Sequence, residues 1–457
     1  MTNNWDDDEE DFEEVESTPS GFGSGSDSFM GPMAYVFAGM LGLWALLAIY
    51  SSVTSKGKTF ADLNAEFQDS SSAEEGTLTS TSTKLLKKIS SPFSSIFTAS
   101  PSLASTPPVQ SYKIPLSCIP FNCPPARMAA GMTFDEATGA IFLYGGFDEE
   151  NFRDDFHFYN SETYDWTMLP PEIGSTPGKR VHVRFAAVNR FLVMFGGSLE
   201  SDLHSDDLFL MDTKSDPFCW IKVNNNNDDS NDADDNIADP KPKGRYGHAV
   251  CEYGSSMVVF GGFGEGEKYM NDLWLLDCDN LETGRVCWKY VQPGGSYWPK
   301  GRDSHCITAC GDKLVLFGGF DGVSTRIVPP GEIEIFNFTK KEWSSEITCG
   351  SEPRPGSGNA IHPLGETNKV ITISGNSSGI FNQMNVLDVG ATPMFWSTVK
   401  FDWHGDWTMI PGQRDFFSSV FDTIEGMMYV FGGRGGGEEG ILHNTLICAN
   451  FREVSER

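Results

Sequence analysis

A short apolar run that ends in two glycines recurs along this chain, and this repeat restricts the possible folds more than any other feature. Five copies are complete: FLYGGF (Gly145, Gly146), VMFGGS (Gly196, Gly197), VVFGGF (Gly261, Gly262), VLFGGF (Gly318, Gly319) and YVFGGR (Gly432, Gly433). A sixth copy, ITISGN, has Ser374 in place of the first glycine. The second glycines of successive copies are 51 to 65 residues apart. Such regular spacing is typical of a protein built from structural units that stack on their neighbours.

Two further features follow the glycine pairs in a fixed order. The first is a second apolar run closed by Asp or Asn: DFHFYN, DLFLMD, DLWLLD, EIEIFN, MNVLD and TLICAN. The second is a tryptophan 20 to 26 residues beyond the second glycine. It occurs in the first five copies in chain order, of which ITISGN is the fifth: Trp166, Trp220, Trp288, Trp343 and Trp396. Continuous apolar runs favour strands buried on both faces. Glycines permit a positive φ where one strand turns into the next, and tryptophan rings would fill the space between units.

This ordered set of features resembles the kelch repeat, and the resemblance covers residues 109–457. It implies an all-β fold, a six-bladed kelch-type β-propeller in which each unit is one four-stranded blade. The last unit has only seven residues after NTLICAN, so its blade lacks a fourth strand. We predict that the segment VQSYKIPL, residues 109–116, pairs with the third strand of this blade. This pairing would close the propeller and remove two exposed sheet edges.

The first 108 residues show no such repeat and divide into three predicted segments. Residues 1–28 hold ten acidic residues and no Lys or Arg, which indicates an acidic disordered tail. Residues 29–54 contain an apolar run of 22 residues. As a helix this run would be about 33 Å long, which predicts a single transmembrane helix. Residues 55–108 are rich in Ser, Thr and Pro and are predicted to form a flexible linker.

Charge distribution predicts how the chain meets a membrane. Lys56 and Lys58 follow the apolar run and no Lys or Arg precedes it, so the positive-inside rule predicts a single-pass membrane protein with a cytosolic propeller. A lumenal or extracellular propeller, and a cleaved secretory signal, are the alternatives.

The formal net charge of −30 at pH 7 argues against a nucleic-acid partner, because such a surface repels phosphate groups.

Each unit begins with an arginine just before its first predicted strand: Arg127, Arg180, Arg245, Arg302, Arg354 and Arg414. In a kelch-type blade this strand lines the central channel, so the resemblance places six guanidinium groups around one channel mouth. We predict that this ring binds a protein partner through an acidic loop or peptide, because arginine pairs well with carboxylates. In the alternative interpretation these arginines hydrogen-bond carbonyl groups of adjacent blades as part of the scaffold.

No clustered acid–base or nucleophile motif accompanies the repeats. His182, His248 and His305 follow their arginines by two or three residues, but each belongs to a different blade. We therefore predict no catalytic residue, no metal and no cofactor. The predicted function is that of a membrane-tethered protein–protein interaction module that binds through the loop face around the channel mouth. The alternative is a propeller enzyme that acts on a small anionic, sugar-acid-like substrate at the same mouth.

Overall fold

The structure, a computed structural model, describes residues 111–119, 123–170, 174–201, 204–223, 240–283, 286–375, 384–403, 414–435 and 440–455. All of them lie in the second of the two units into which the chain divides, Ser105–Arg457. The predicted acidic tail, transmembrane helix and linker of residues 1–108 lie outside the described residues. Within the described residues, no helix has the length and apolar character needed to cross a membrane.

Nearly all regular structure in the described part is β-strand, as the apolar runs predict. The strands are β1 (Ser111–Ile119), β2 (Gly131–Asp135), β3 (Ala140–Tyr144), β4 (Phe156–Asn160), β5 (Asp165–Leu169), β6 (Arg180–Val181), β7 (Arg184–Val188), β8 (Phe191–Phe195), β9 (Ser198–Leu199), β10 (Leu208–Asp212), β11 (Ile221–Lys222), β12 (Arg245–Tyr246), β13 (Ala249–Tyr253), β14 (Ser256–Gly264), β15 (Lys268–Asp277), β16 (Cys287–Tyr290), β17 (Asp303–Cys310), β18 (Lys313–Phe320), β19 (Glu332–Asn337), β20 (Glu342–Gly350), β21 (Ala360–Pro363), β22 (Lys369–Ile373), β23 (Met384–Asp388), β24 (Met394–Trp403), β25 (Arg414–Asp415), β26 (Ser418–Asp422), β27 (Met427–Phe431), β28 (Arg434–Gly435) and β29 (Leu446–Asn450). A 3₁₀ turn (Leu281–Thr283) and a short helix α1 (Arg452–Ser455) complete the described elements.

Hydrogen-bond pairing sorts these strands into groups of consecutive antiparallel strands. Group 1 is β2-β3-β4-β5, group 2 is β7-β8-β10-β11 and group 3 is β13-β14-β15-β16. Groups 4, 5 and 6 are β17-β18-β19-β20, β21-β22-β23-β24 and β26-β27-β29, and pairing through β1 and β24 joins them into one twelve-stranded sheet. Each group therefore contains one copy of the sequence repeat.

The glycine pair ends the regular pairing between the first two strands of a group. In group 3 the pairing of β13 with β14 ends at Phe260 and resumes between β12 and the end of β14, and the register between β14 and β15 shifts between Phe260 and Gly262. The first glycines of the complete pairs have φ from +61° to +70°, and the second from +88° to +101°. Residues with a Cβ avoid these conformations, which explains why the pair is glycine.

The first strands of the groups lie side by side in a closed circuit. β2 contacts β7, β7 contacts β13, and contacts continue through β17, β21 and β26 back to β2. These strands surround a central cavity of about 790 Å³. The prediction of an all-β fold with a propeller-like arrangement of repeated sheets is therefore confirmed.

The five repeat tryptophans pack between neighbouring groups, as predicted. All five are buried. Each ring contacts the aromatic residue that directly precedes the glycine pair of the preceding group. The ring-centroid distances are 5.6 Å for Trp166–Phe431, 6.1 Å for Trp220–Tyr144, 5.1 Å for Trp288–Phe195, 5.1 Å for Trp343–Phe260 and 5.9 Å for Trp396–Phe317. The first contact joins group 1 to group 6, across the two ends of the repeat array.

The strand β1 pairs with the last two groups of the array, and of the predicted segment 109–116 only Leu116 pairs with β29. Its residues Leu116–Ile119 pair antiparallel with β29, the third strand of group 6. Its residues Ser111–Leu116 pair parallel with β24, the fourth strand of group 5. The segment thus adds a fourth strand to the last group and also extends the sheet of the group before it.

Candidate functional site

Five of the six predicted arginines are buried inside the protein. Their exposed fractions are between 0% and 2%. In each case Nη1 donates a hydrogen bond to the carbonyl oxygen of the first glycine in the same group. The distances are 3.0 Å for Arg127–Gly145, 2.9 Å for Arg180–Gly196, 3.0 Å for Arg245–Gly261, 3.3 Å for Arg302–Gly318 and 3.0 Å for Arg414–Gly432. The guanidinium thereby supplies a donor to this buried carbonyl group.

The same guanidinium groups bind an acidic or hydroxyl side chain near the start of the third strand. The distances are 2.7 Å for Arg127–Asp155, 3.6 Å for Arg180–Asp207, 2.6 Å for Arg245–Asp272, 2.6 Å for Arg302–Glu334 and 2.9 Å for Arg414–Thr445. Burial raises the pKa of Asp155, but hydrogen bonds from His157 and Arg127 outweigh this effect and lower it well below its usual value. The carboxylate therefore stays ionised and paired.

The backbone of four of these arginines connects one group to the next. The N–H of the second glycine in a group donates to the carbonyl oxygen at the arginine position of the following group. The distances are 2.9 Å for Gly146–Arg180, 2.9 Å for Gly197–Arg245, 2.9 Å for Gly262–Arg302 and 2.8 Å for Gly433–Arg127. The five guanidinium groups are therefore buried in scaffold contacts, but their carbonyl partner lies in the same group and not in an adjacent one as the alternative interpretation stated.

Arg354 differs from the other five predicted arginines, because its side chain is exposed. Gly356 occupies the equivalent repeat position, since its carbonyl oxygen accepts the N–H of Gly319 at 2.8 Å. In this degenerate group the Asn359 side chain accepts a hydrogen bond from Gly375, the remaining glycine of the pair, at 2.7 Å. Loss of the repeat arginine therefore accompanies loss of the first glycine, which Ser374 replaces.

Two positions beyond each of the five buried arginines, and beyond Gly356 in group 5, the backbone enters the left-handed region. The six residues are Ala129, His182, Gly247, Ser304, Gly358 and Phe416, with φ between +50° and +68°. Hydrogen bonds pass between them from group to group: Ala129 N to Phe416 O at 2.8 Å, His182 N to Ala129 O at 2.9 Å, Ser304 N to Gly247 O at 2.7 Å and Gly358 N to Ser304 O at 2.9 Å. We call these six residues the mouth ring. Four of them carry a side chain despite the strain, as is common at functional sites.

Aromatic side chains form a continuous half-buried row beside the mouth ring. The centroid distances are 5.4 Å for Phe416–His182, 5.6 Å for His182–Tyr246, 5.6 Å for Tyr246–Phe263, 4.9 Å for Phe263–Tyr269 and 6.0 Å for Tyr269–Phe320. His204 also packs against Tyr246 and Phe263, at 5.8 and 5.9 Å. We call these seven residues the aromatic track. No repeat pattern in the sequence indicates the whole track, although the repeated GGF motif contains two of its members, Phe263 and Phe320.

A carboxylate without a basic partner lies beside the aromatic track. A Cβ atom at Gly247 would lie 3.1 Å from the Cβ of Asp303, which places this aspartate against the residue after Tyr246. Its negative charge contributes to the raised pKa values of Tyr246 and Tyr269. Burial raises the pKa of Asp303 to about 6. No Lys, Arg or His of the described residues forms an ion pair with Asp303.

The three histidines that follow the repeat arginines do not converge. His182 belongs to the aromatic track, whereas His248 and His305 are buried beneath the glycine pairs of the preceding groups, close to Gly196 and Gly261. The Nε2 of His305 lies 3.1 Å from the carbonyl oxygen of Phe260. Among the described residues, no three side chains of His, Cys, Asp or Glu are placed to hold a metal ion.

The fold and this site define a class: a repeat protein with propeller-like sheets whose glycine-pair end carries an aromatic surface. The repeats belong to the kelch family. Residues 228–433 match the family model of the KLHDC2/KLHL20/DRC7 Kelch-repeats domain. The matched range contains three of the buried repeat arginines, three complete glycine pairs and three of the repeat tryptophans.

Curated relatives match the repeat region. The chain is 30% identical to Tip elongation aberrant protein 1 of Schizosaccharomyces pombe over 208 residues, which cover 44% of this chain and 17% of that protein. It is 25% identical to Host cell factor of Drosophila melanogaster over 345 residues, which cover 69% of this chain and 21% of that protein. Host cell factor 1 of Homo sapiens is 24% identical, with 67% and 15% covered. The matches thus span about a fifth or less of these much longer proteins.

Proposed function

We propose that this protein is a membrane-tethered interaction module: a six-bladed kelch propeller that binds a protein partner at its mouth ring and aromatic track. The aromatic track carries this proposal, because half-buried rings at the rim of a rigid scaffold are typical anchors of protein interfaces. The apolar run within residues 29–54 supports the tether, and Lys56 and Lys58 support a cytosolic propeller. No reaction is assigned to the chain.

Three independent contacts support a count of six blades. The first strands of all six groups form the closed circuit that ends with β26 on β2. The second glycine of group 6, Gly433, donates to the carbonyl oxygen of Arg127 ahead of group 1. Trp166 of group 1 packs on Phe431 of group 6. Each contact repeats, across the ends of the array, one that joins neighbouring groups within it.

The partner that best fits the track presents a basic side chain. The acidic-peptide hypothesis required exposed guanidinium groups, and five of the predicted arginines are buried in scaffold contacts. The aromatic track instead offers ring faces and the unpaired Asp303, which together suit a Lys or Arg side chain. The overall charge of −30 would also speed the approach of a basic partner.

One end of the aromatic track already binds a guanidinium group from the chain itself. The Cζ of Arg434 lies 5.9 Å from the ring centre of Phe416, and its Nη2 lies 2.9 Å from Asp415. An aromatic ring and an aspartate therefore hold this cation at the mouth. Tyr246 and Asp303 offer the same pair of groups further along the track, without a cation from the described residues.

Selection from a random peptide library tests this function directly. The purified full chain is the bait, and the Tyr246→Ala and Asp303→Asn variants are run in parallel. We expect enriched peptides to carry Lys or Arg next to apolar residues, and we expect both variants to lose them.

Two control variants lie at the other end of the strands, away from the glycine pairs. Tyr164→Ala removes a tyrosine that is 65% exposed, and Asp279→Asn removes an exposed carboxylate. Both are expected to retain the peptides. Enrichment of acidic peptides, or equal binding by all four variants, would contradict the proposed binding face.

A further inference from the structure

The central cavity contains one arginine that takes no part in the scaffold contacts. Arg184 opens β7 and lines the cavity, and it is the only Lys or Arg among the described lining residues. Arg184 is two residues beyond His182 of the mouth ring, so it lies at the end of the cavity that is nearest the mouth. No sequence pattern indicates Arg184, because an arginine does not recur at this position in the other repeats.

The guanidinium of Arg184 has almost no hydrogen-bond partners in the protein. Its one described hydrogen bond runs 3.4 Å from Nη1 to the carbonyl oxygen of Val183, its own neighbour. No carboxylate of the described residues forms an ion pair with it or contributes to its pKa, which burial lowers. Each buried scaffold arginine, in contrast, binds a glycine carbonyl and either a carboxylate or a threonine hydroxyl.

The positive charge of Arg184 also acts on nearby histidines. Burial is the main cause of the lowered pKa values of His248 in group 3 and His305 in group 4, Arg245 and Arg302 respectively lower them further, and Arg184 makes a smaller contribution to both. Burial brings the pKa of His305 to about 3, so this imidazole is neutral at pH 7 and supplies no competing cation. Burial raises the pKa of the Cys306 thiol more than the charge of Arg184 lowers it. This thiol is therefore also neutral at pH 7.

The acidic side chains that line the cavity lie at the end away from Arg184. Glu136, Glu252 and Glu366 line the cavity, and Glu252 lies near the end of β13 whereas Arg184 begins the adjacent β7. The first strands line the cavity in the same repeat order, so these charges are separated along its length. Arg184 is half-buried and faces the cavity without a counter-charge among the described residues, and a bound anion would supply that counter-charge.

We propose that the central cavity binds a small oxyanion, a carboxylate or a phosphate, at the guanidinium of Arg184. The planar fork of N–H donors suits two oxygen atoms of such an anion. A volume of about 790 Å³ lies within the usual range for small-molecule sites. The hydrogen-bonded mouth ring narrows access from the glycine-pair side, which favours a small solute over a peptide. This site is separate from the aromatic track and goes beyond the proposed partner binding.

Isothermal titration of the purified full chain tests this site. Sodium phosphate and sodium succinate are titrated separately at constant ionic strength, so that the two arms distinguish phosphate from carboxylate. We expect saturable binding of at least one anion by the wild type and an affinity at least tenfold weaker in the Arg184→Gln variant. The matched control is Arg190→Gln, because Arg190 lies six residues along the chain and pairs with Asp212 at 3.0 Å outside the cavity. This control is expected to bind like the wild type.

A second variant keeps the test decisive if Arg184→Gln does not fold. Arg184→Lys retains the charge and loses the fork, so it is expected to fold and to bind the anion more weakly than the wild type. Two results would overturn the proposal. One is the absence of binding of both anions by the wild type, and the other is unchanged affinity in a folded Arg184 variant.

Discussion

Arginine can donate five hydrogen bonds, and at the residue scale this capacity explains the strongest element of the repeat. The turn at each complete glycine pair leaves a carbonyl group inside the protein, and the third strand brings a carboxylate or hydroxyl close to it. One guanidinium satisfies both groups. The arginine and the glycine pair are therefore two parts of a single structural device, and group 5 lacks both the arginine and the first glycine.

The Arg302→Ala substitution tests this device at the residue scale. Arg302 and Glu334 are both nearly inaccessible, with side chains 1% and 2% exposed, and their atoms lie 2.6 Å apart. Removing the cation leaves Glu334 buried without its counter-charge, and such losses cost about 3–5 kcal/mol of unfolding free energy. Urea denaturation monitored by tryptophan fluorescence measures the change. Arg354→Ala removes an exposed arginine and is expected to change stability by about 0.5 kcal/mol or less. Similar losses in both variants would show that the buried pair is not important.

The ionisation of Asp303 gives a second prediction at the residue scale. Burial raises the pKa of Asp303 to about 6 in the free protein, and a bound cation would lower it. Binding of a basic peptide therefore releases a proton near pH 5, and affinity rises as the pH increases through 6. We expect affinity about tenfold weaker at pH 5 than at pH 7, measured by fluorescence anisotropy of a labelled peptide. The Asp303→Asn variant is expected to bind weakly at both pH values. An affinity that increases toward pH 5 would be incompatible with this role.

At the element scale, β1 links two neighbouring groups that the repeat array alone leaves with open edges. It pairs with β29 on one side and with β24 on the other. Without it, both strands would expose unpaired N–H and C=O groups, and such edges promote aggregation. This strand was predictable, because the last repeat visibly lacks a fourth strand. Its parallel pairing with β24 was not, because it depends on how groups 5 and 6 approach each other.

Deletion of residues 111–119 from the full chain tests the contribution of β1. We expect the melting temperature to fall by about 5 °C or more, because a strand with two partners is lost and two edges become exposed. Deletion of nine residues from the predicted linker, such as residues 70–78, is the matched control and should leave the melting temperature unchanged. Differential scanning calorimetry provides the comparison. Equal melting temperatures for the two deletions would refute a structural role for β1.

At the scale of the whole molecule, the sequence predicts the repeats well and their mouth poorly. Strands, glycine pairs and tryptophans are recognisable because each repeat carries them in the same order. The aromatic track draws its members from groups 2, 3, 4 and 6, so no local pattern contains it. The repeat arginines were recognisable in the sequence, but the sequence did not indicate whether their side chains face the channel mouth or the interior of the protein. The five buried side chains donate hydrogen bonds to the carbonyl oxygens of the glycine pairs. The aromatic track and Asp303 therefore line the mouth instead.

The central claim is that the mouth binds a basic side chain beside Asp303, and a double-mutant cycle measures this contact directly. The cycle combines wild type and Asp303→Asn with a selected peptide and its variant in which the basic residue is replaced by norleucine, all titrated at pH 7.5. A direct contact predicts a coupling free energy of about 1–2 kcal/mol. A coupling indistinguishable from zero, with a peptide that still binds the wild type, would contradict the account and place the basic residue elsewhere on the protein.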